Sequence, residues 1–498
     1  MNVNPITRLD YPDPDVIRVE DTYYMVSTTM HFMPGCEILQ SFDLVHWEQV
    51  TYVYETLDHT DAQQLKSGQN IYGQGMWAAS LRYHEGRFYI CFVANDTRKT
   101  YLYTSEKIDG PWKKQLIEGF YHDGSLLFDE DGRNYIVYGN DEIWITELNE
   151  DLTAPKKDGL HRLLVSDHKN PELGYEGSHI QKINGYYYIF LVHSLRDRWM
   201  RTEACFYSDS LEGEFTGGDV LCDDRGYCGQ GVAQGGIVDT PDGKWYAMLF
   251  QDSGAVGRIP ILLPVTWKDH FPFFGQNGHV PEEIEVHSTR PGYIYQPLVG
   301  SDDFCNGLLP RWQFNHDPDP RYYHLDALQG TYTITTREVC TELTQAVNTL
   351  TQRMSYPSCA AEVTVDASAL KEGDVAGLCA LQSCYAAVGI TKHHGKYEVL
   401  MLDKKEDGIL DMTEGTVVES HQMDFRLEAD FCNMKDEARC YYRVNKGDWL
   451  PIGTVHKLYF KLDHFTGCRF GLFCYAAEET GGSACFRDFK YYDVDEIS

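Results

Sequence analysis

A strand–turn–strand signature recurs five times before residue 251, and it constrains the fold more than any other feature of this chain. The copies are Val16–Ser27, Ser80–Val93, Ser125–Tyr138, Ser178–Phe190 and Gly236–Phe250. Each begins as a short apolar strand, crosses a tight turn and enters a second strand led by aromatics, as in Asn184-Gly185-Tyr186-Tyr187-Tyr188. Glu85-Gly86, Asp131-Gly132, Asn184-Gly185 and Asp242-Gly243 supply four of the turns, where glycine tolerates positive φ. A period of roughly 45–65 residues with several strands per repeat belongs to propeller blades. The segments Ser41–Trp47, Ser105–Trp112 and Ser208–Phe215 then read as outer strands of their blades. The expectation is an all-β chain whose residues 1–297 form a five-bladed β-propeller; a pair of β-sandwiches with fortuitous hairpins is the alternative.

Tyr295-Gln296-Pro297-Leu298-Val299-Gly300-Ser301 breaks the period and reads as a domain junction. Beyond it, Thr331–Thr335, Ala361–Val365, Asp374–Leu378, Tyr397–Met401 and Phe470–Tyr475 alternate with period two, without the blade pattern. Residues 298–498 are therefore expected to form a β-sandwich of jelly-roll type. The 34 Tyr and 23 Phe favour strands throughout.

The formal net charge of −32 argues against a nucleic-acid partner and against an anionic membrane surface. No apolar run is long enough to span a bilayer, and Met1-Asn2-Val3-Asn4-Pro5 does not open a signal peptide. The 15 cysteines form no Cys-x-x-Cys pair, so reduced thiols and a cytoplasmic setting are expected. Homo-oligomerisation is left open.

In a propeller the innermost strand of each blade lines a central channel and its leading residues face one opening. Asp13, in Tyr11-Pro12-Asp13-Pro14-Asp15, precedes the first innermost strand; Asp123, in Tyr121-His122-Asp123-Gly124-Ser125, precedes the third; Glu176, in Tyr175-Glu176-Gly177-Ser178, opens the fourth. Each acid alone reads equally as a turn or strand cap. Three at matching positions converge across the channel, and convergent carboxyls are the arrangement that acid–base chemistry exploits. Glycoside hydrolysis needs one carboxyl to protonate the leaving oxygen and another to activate water, and a third can tune the acid. Trp77 and Phe32 are candidate sugar-stacking aromatics, though Trp77 is equally a core residue. Arg258, after the fifth hairpin, is a candidate ligand of sugar hydroxyls, with a structural ion pair as its alternative.

These residues resemble glycoside hydrolase family 43, in its β-xylosidase and α-L-arabinofuranosidase branch. The likeness is carried by the five hairpins, Tyr11-Pro12-Asp13-Pro14-Asp15, Trp77-Ala78, His122-Asp123-Gly124-Ser125 and Glu176-Gly177, with Leu350-Thr351-Gln352-Arg353, Gly373–Leu378 and Phe486-Arg487-Asp488-Phe489 in the second half. The resemblance implies an inverting, exo-acting hydrolase that releases terminal pentoses, α-L-arabinofuranose or β-D-xylose, from plant-derived oligosaccharides. In it Asp13 would be the general base, Glu176 the general acid and Asp123 the modulator of the acid's pKa, with Arg258 near the substrate. Two positions depart from the family pattern. Gln234, a further candidate substrate contact, stands where many members carry a histidine near a bound calcium ion; its carbonyl oxygen can replace the ring nitrogen, but the case for calcium is weaker and a structural Ca2+ is left open. The loop Thr28–Gly35, which holds Phe32, also differs and leaves the choice of pentose open. Outside this class, a non-catalytic carbohydrate-binding propeller would not need all three acids. A retaining fructosyl hydrolase would show Asn-Asp-Pro-Asn near the N-terminus, which Tyr11-Pro12-Asp13-Pro14 does not match.

Overall fold

The computed structural model describes residues 3–413, 415–461 and 463–493. All five expected hairpins form, and each grows into a four-stranded antiparallel sheet. The innermost strands are Asp15–Val19, Met76–His84, Ser125–Phe128, Glu176–Ile183 and Ala233–Asp239, one in each of blades 1 to 5. The described residues hold four short 3-10 turns and no α-helix.

The aromatic second strands read as continuous apolar runs because both of their faces are buried. In blade 4, Tyr188 and Phe190 pack with Ile237, Leu249 and Ile261 of blade 5, while Ile189 and Leu191 point the opposite way, against Tyr135 and Val137 of blade 3. The period of two along a strand thus shares its side chains between two inter-blade cores. Blades 1 and 5 close the ring through Val16, Met25 and Leu39 against Val238, Met248 and Leu262. The chain start reinforces the closure, since the Asn4 amide both donates to and accepts from the Leu262 backbone, at 2.7 and 2.8 Å.

One reading of the sequence is corrected. Ser41–Trp47, Ser105–Trp112 and Ser208–Phe215 are not outer strands but the turns that lead into Glu48–Tyr54, Lys113–Ile117 and Thr216–Leu221. Their polar residues serve the turn: the Ser41 hydroxyl accepts the Asp43 and Leu44 N–H groups, and Asp43 Oδ1 accepts those of Val45 and His46. Short side chains that bond their own following backbone favour turns over ladders.

After a connector in which Gln296 N donates to Glu48 of blade 1 (2.9 Å), the chain builds two sheets, of nine and seven strands, packed face to face. The sandwich is not an appendage. Phe32–Met33, from a blade 1 loop, pairs antiparallel with Gln313–Asn315 and becomes the edge of the nine-stranded sheet. Arg353 of the sandwich forms a buried 2.7 Å ion pair with Glu37 of blade 1. Buried Asp10 accepts the Arg258 N–H on one carboxylate oxygen and the Gly467 N–H on the other, both at 2.8 Å. Gly467 is required there, because a Cβ would lie 2.1 Å from the Val256 carbonyl. These contacts carry a sandwich loop over one mouth of the propeller.

Candidate active site

The five innermost strands share a backbone irregularity at their leading ends. Asp13, Ala78, Asp123, Gly177 and Gln234, at equivalent positions of the five blades, all have positive φ, from 27° to 66°. In blades 2, 4 and 5 the strand register shifts at the same place. Such bulges bend a strand and re-aim its side chains. Here they produce rings of residues around the channel. One ring holds the positive-φ residues themselves. The residues just before them form a second: Pro12, Trp77, His122, Glu176 and Ala233. Two residues after them comes a third, made of Asp15, Ser80, Ser125, His179 and Gly236.

The third ring stitches the blades together. Asp15 Oδ2 accepts the N–H of Leu81, Ser80 Oγ that of Leu126, and Ser125 Oγ that of Ile180, each reaching into the next blade. Arg82 fills the channel axis. Its guanidinium donates to Asp15 Oδ2 (2.8 Å), Ser125 Oγ (2.7 Å) and the Leu126 and Ile180 carbonyls, while His179 Nδ1 lies 3.2 Å from Asp15 Oδ1. Burial pushes the Asp15 carboxyl up, but Arg82 and His179 outweigh it and hold it below the usual carboxylate range.

The three acids named from the sequence lie in the first two rings, above this plug. Asp13 is buried and held on both oxygens, by Arg258 Nη1 at 2.9 Å and the Thr28 hydroxyl at 2.6 Å. Thr28 in turn accepts the Ala78 N–H, which ties the base candidate to blade 2. Asp123 accepts the N–H of Gly177, the residue after Glu176, at 2.9 Å. Burial, aided by the negative charges of Glu176 and Asp13, lifts the Asp123 carboxyl to about 6. The side chain of Glu176 remains 20% exposed and accepts from Asn140 Nδ2 at 2.7 Å. Burial raises its pKa, but the net direction is downward because His122, Arg201 and Arg258 favour the carboxylate.

The remaining sequence candidates separate. Arg258 joins the site and, as the alternative reading had it, forms an ion pair, with Asp13. Trp77 stands at the mouth with its ring 5.1 Å from Phe465 and 6.1 Å from His122. Gln234 backs onto Gly177, whose Cα would carry a Cβ only 2.7 Å from Gln234 Cγ. Phe32 is a correction. It is fully buried, lies in the edge strand shared with the sandwich, and is covered by the Arg469 guanidinium 3.5 Å from its ring centre. It therefore packs the interface and presents no face to a sugar.

Four residues had no role in the sequence reading. Arg201 is buried, ion-paired to Asp252 and facing Arg258; burial and that like charge lower its pKa to about 9. Asn140 holds Glu176. His122 stands beside two of the acids within a motif already singled out. Phe465 comes from the sandwich and lies 4.4 Å over the Arg258 guanidinium, so it closes one side of the site. Nothing in the spacing of the chain signals that contact.

The residues do not fit a calcium ion. The channel axis is taken by Arg82, and calcium asks for six to eight oxygen ligands. Among the described residues one His–Asp–Glu trio has its polar atoms within 4.8 Å of one another, His122, Asp123 and Glu176, and its carboxylates are committed to Gly177 and Asn140.

A base candidate fixed by an arginine, an acid candidate open to the mouth and a third carboxyl between them define a glycoside hydrolase. The comparisons with known proteins agree. The chain belongs to glycosyl hydrolase family 43, whose model matches residues 3–272, and the beta-xylosidase C-terminal concanavalin A-like domain matches residues 301–492. A beta-xylosidase of Formosa agariphila is 26% identical over 99% of this chain and 89% of its own. A solved bifunctional GH43-CE protein of Bacteroides eggerthii superposes with a TM-score of 0.93 at 42% identity. That match covers 99% of this chain and 64% of the other, so this chain spans less than two thirds of that bifunctional protein. A solved family 43 enzyme, engineered to display both endo-xylanase and exo-arabinofuranosidase activity, matches over 99% of both chains with a TM-score of 0.86 and 27% identity.

Proposed function

We propose that this protein is an inverting, exo-acting glycosidase that releases terminal pentoses, α-L-arabinofuranose or β-D-xylose, from plant-derived oligosaccharides. The observation that carries the reading is the convergence of Asp13, Asp123 and Glu176 from blades 1, 3 and 4 on one mouth, walled by Phe465 of the sandwich. Glu176 protonates the leaving oxygen, and Asp13, oriented by Arg258 and Thr28, takes the proton of the attacking water. Asp123 orients the Glu176–Gly177 backbone and adds negative charge beside the acid. The sandwich loop closes the far side, which favours a pocket for one terminal sugar over an open cleft. The named activities of the relatives span both pentoses, so dual activity is included in the reading. The fifteen free thiols support a reducing compartment as the setting.

The test is hydrolysis of p-nitrophenyl β-D-xylopyranoside and p-nitrophenyl α-L-arabinofuranoside by wild type and Glu176→Ala, with the product anomer read by proton NMR. Cleavage of either with inversion, and loss of turnover on an unactivated glycoside by about 10²–10⁴-fold in the variant, is the expected result. Retention of configuration, or full activity of Glu176→Ala on an unactivated disaccharide of the same pentose, rejects the mechanism.

A further inference from the structure

His122 occupies in blade 3 the ring position that Glu176 holds in blade 4 and Trp77 in blade 2. Its Nε2 lies 3.5 Å from Glu176 Oε2 and 3.6 Å from Asp123 Oδ2, at the long edge of hydrogen bonding to either. A buried ring nitrogen left between two carboxylates is a high-energy arrangement unless it carries a proton that one of them can take. Catalytic hydrogen bonds in unliganded enzymes are commonly this long and tighten when substrate binds.

The surroundings of Glu176 sharpen the question of where its proton comes from. Asn140 donates to it, and the buried guanidiniums of Arg201 and Arg258 face it. All three favour the carboxylate, whereas an acid catalyst must enter the reaction protonated. We propose that His122 is a positioning residue of the acid: it holds, in the free enzyme, the proton that Glu176 delivers to the leaving oxygen. This rests on the assignment of Glu176 as general acid. The Nε2 proton of His122 first passes to Glu176. As the glycosidic bond breaks, its electron pair stays on the leaving oxygen, which takes that proton from Glu176, and the water that bonds to the anomeric carbon gives its proton to Asp13. Solvent then reloads His122 and strips Asp13, so protons balance over the cycle.

The charged groups around the imidazole agree. Asp123 of its own blade, Glu176 of blade 4 and Asp13 of blade 1 all stabilise the imidazolium; Arg201 and Arg258, each paired to Asp252, act through Glu176. Trp77 flanks the imidazole without charge, and Phe465 packs on Trp77. The charge of Asp123, against the opposing effect of burial, raises the His122 pKa to about 9.

The test compares His122→Gln with wild type on two substrates bearing the same pentose: a p-nitrophenyl glycoside, whose leaving group departs without a proton, and an unactivated disaccharide. We expect kcat/KM on the disaccharide to fall about 100-fold and on the nitrophenyl glycoside less than about 5-fold. The basic limb of the kcat/KM–pH profile on the disaccharide should move down by at least about one pH unit, since Glu176 alone then carries the proton. Equal losses on both substrates, or an unmoved basic limb, overturn the proposal. A second measurement needs no variant: in wild type the basic limb should move to lower pH on warming, as an imidazole does, and a temperature-independent limb, as a carboxyl gives, overturns it. Glu176→Ala run alongside separates the two readings. If that variant keeps turnover on the disaccharide, the acid assignment falls and this inference with it; if it is inactive there while His122→Gln behaves as wild type, only the inference falls.

Discussion

Replacing Arg82 by Met removes the guanidinium that plugs the propeller and leaves the fully buried carboxylate of Asp15 with the Leu81 N–H and His179 but no fixed positive charge. Four hydrogen bonds to blades 1, 3 and 4 vanish, those to Asp15 Oδ2, Ser125 Oγ and the Leu126 and Ile180 carbonyls. Methionine fills much of the volume, so the loss is electrostatic more than a cavity. Removing one partner of a buried ion pair costs about 3–5 kcal/mol because the other charge stays buried and uncompensated. For a unit as large as this propeller, each kcal/mol moves the unfolding midpoint by roughly 2 °C, which puts the expected fall at about 6–10 °C. The assay is thermal unfolding at pH 7 of Arg82→Met, Asp15→Asn and the double variant. The double variant should recover about 1–3 kcal/mol relative to the sum of the singles, since it leaves no orphaned charge. A fall below about 2 °C for Arg82→Met, or strict additivity in the double, refutes the idea that this pair locks the channel.

Three further outcomes follow from the same structure. Phe465→Ala should raise KM more than it lowers kcat, with kcat/KM down about 10-fold, because an apolar wall and a cation–π contact to Arg258 are lost; unchanged steady-state kinetics would remove the sandwich from the site. His31, His316 and His464 are fully buried around Tyr72 at the propeller–sandwich interface, and burial first, then mutual repulsion and Arg469, depresses their pKa values, that of His464 to about 3. Their folded values lie below the unfolded value of about 6.5. Their contribution is therefore complete above pH 6.5 and drains as pH falls toward the folded values, at up to about 4 kcal/mol per pH unit for three protons. A urea midpoint that is flat from pH 7 to pH 5 contradicts this, and His464→Phe should remove about a third of the slope. Asp123→Asn keeps an acceptor for the Gly177 N–H but removes the charge that sustains the His122 proton, so the basic limb of kcat/KM should shift to lower pH; an unmoved limb would contradict it.

Much of the fold was legible because inter-blade packing imposes a local code. A second strand buried on both faces must read as an apolar run such as Tyr187–Leu191, and a tight hairpin must carry a residue such as Gly185 at positive φ (85°). The acids were legible for the same reason, since Asp13 and Asp123 sit at one offset from those hairpins and Glu176 one residue before the equivalent position, Gly177. The outer strands are hidden in the sequence because the turn residues before them are more distinctive than the exposed, mixed strands themselves, such as Lys113–Ile117. The buried role of Phe32 is hidden because its surroundings are supplied by Gln313–Asn315 and Arg469, far along the chain.

Five blades, a second β domain and three carboxyls at one end of the channel can be read from the chain alone, because strand alternation, turns and offsets are short-range properties. Tertiary structure decided the rest: that Arg82 fills the axis, that Asp10 and Gly467 bring Phe465 over Arg258, and that His122 stands between two acids. Those features arise where segments distant in the chain bury charge and aromatic surface against one another, and the strength of an ion pair or a proton's position depends on the local dielectric that only the packed molecule creates.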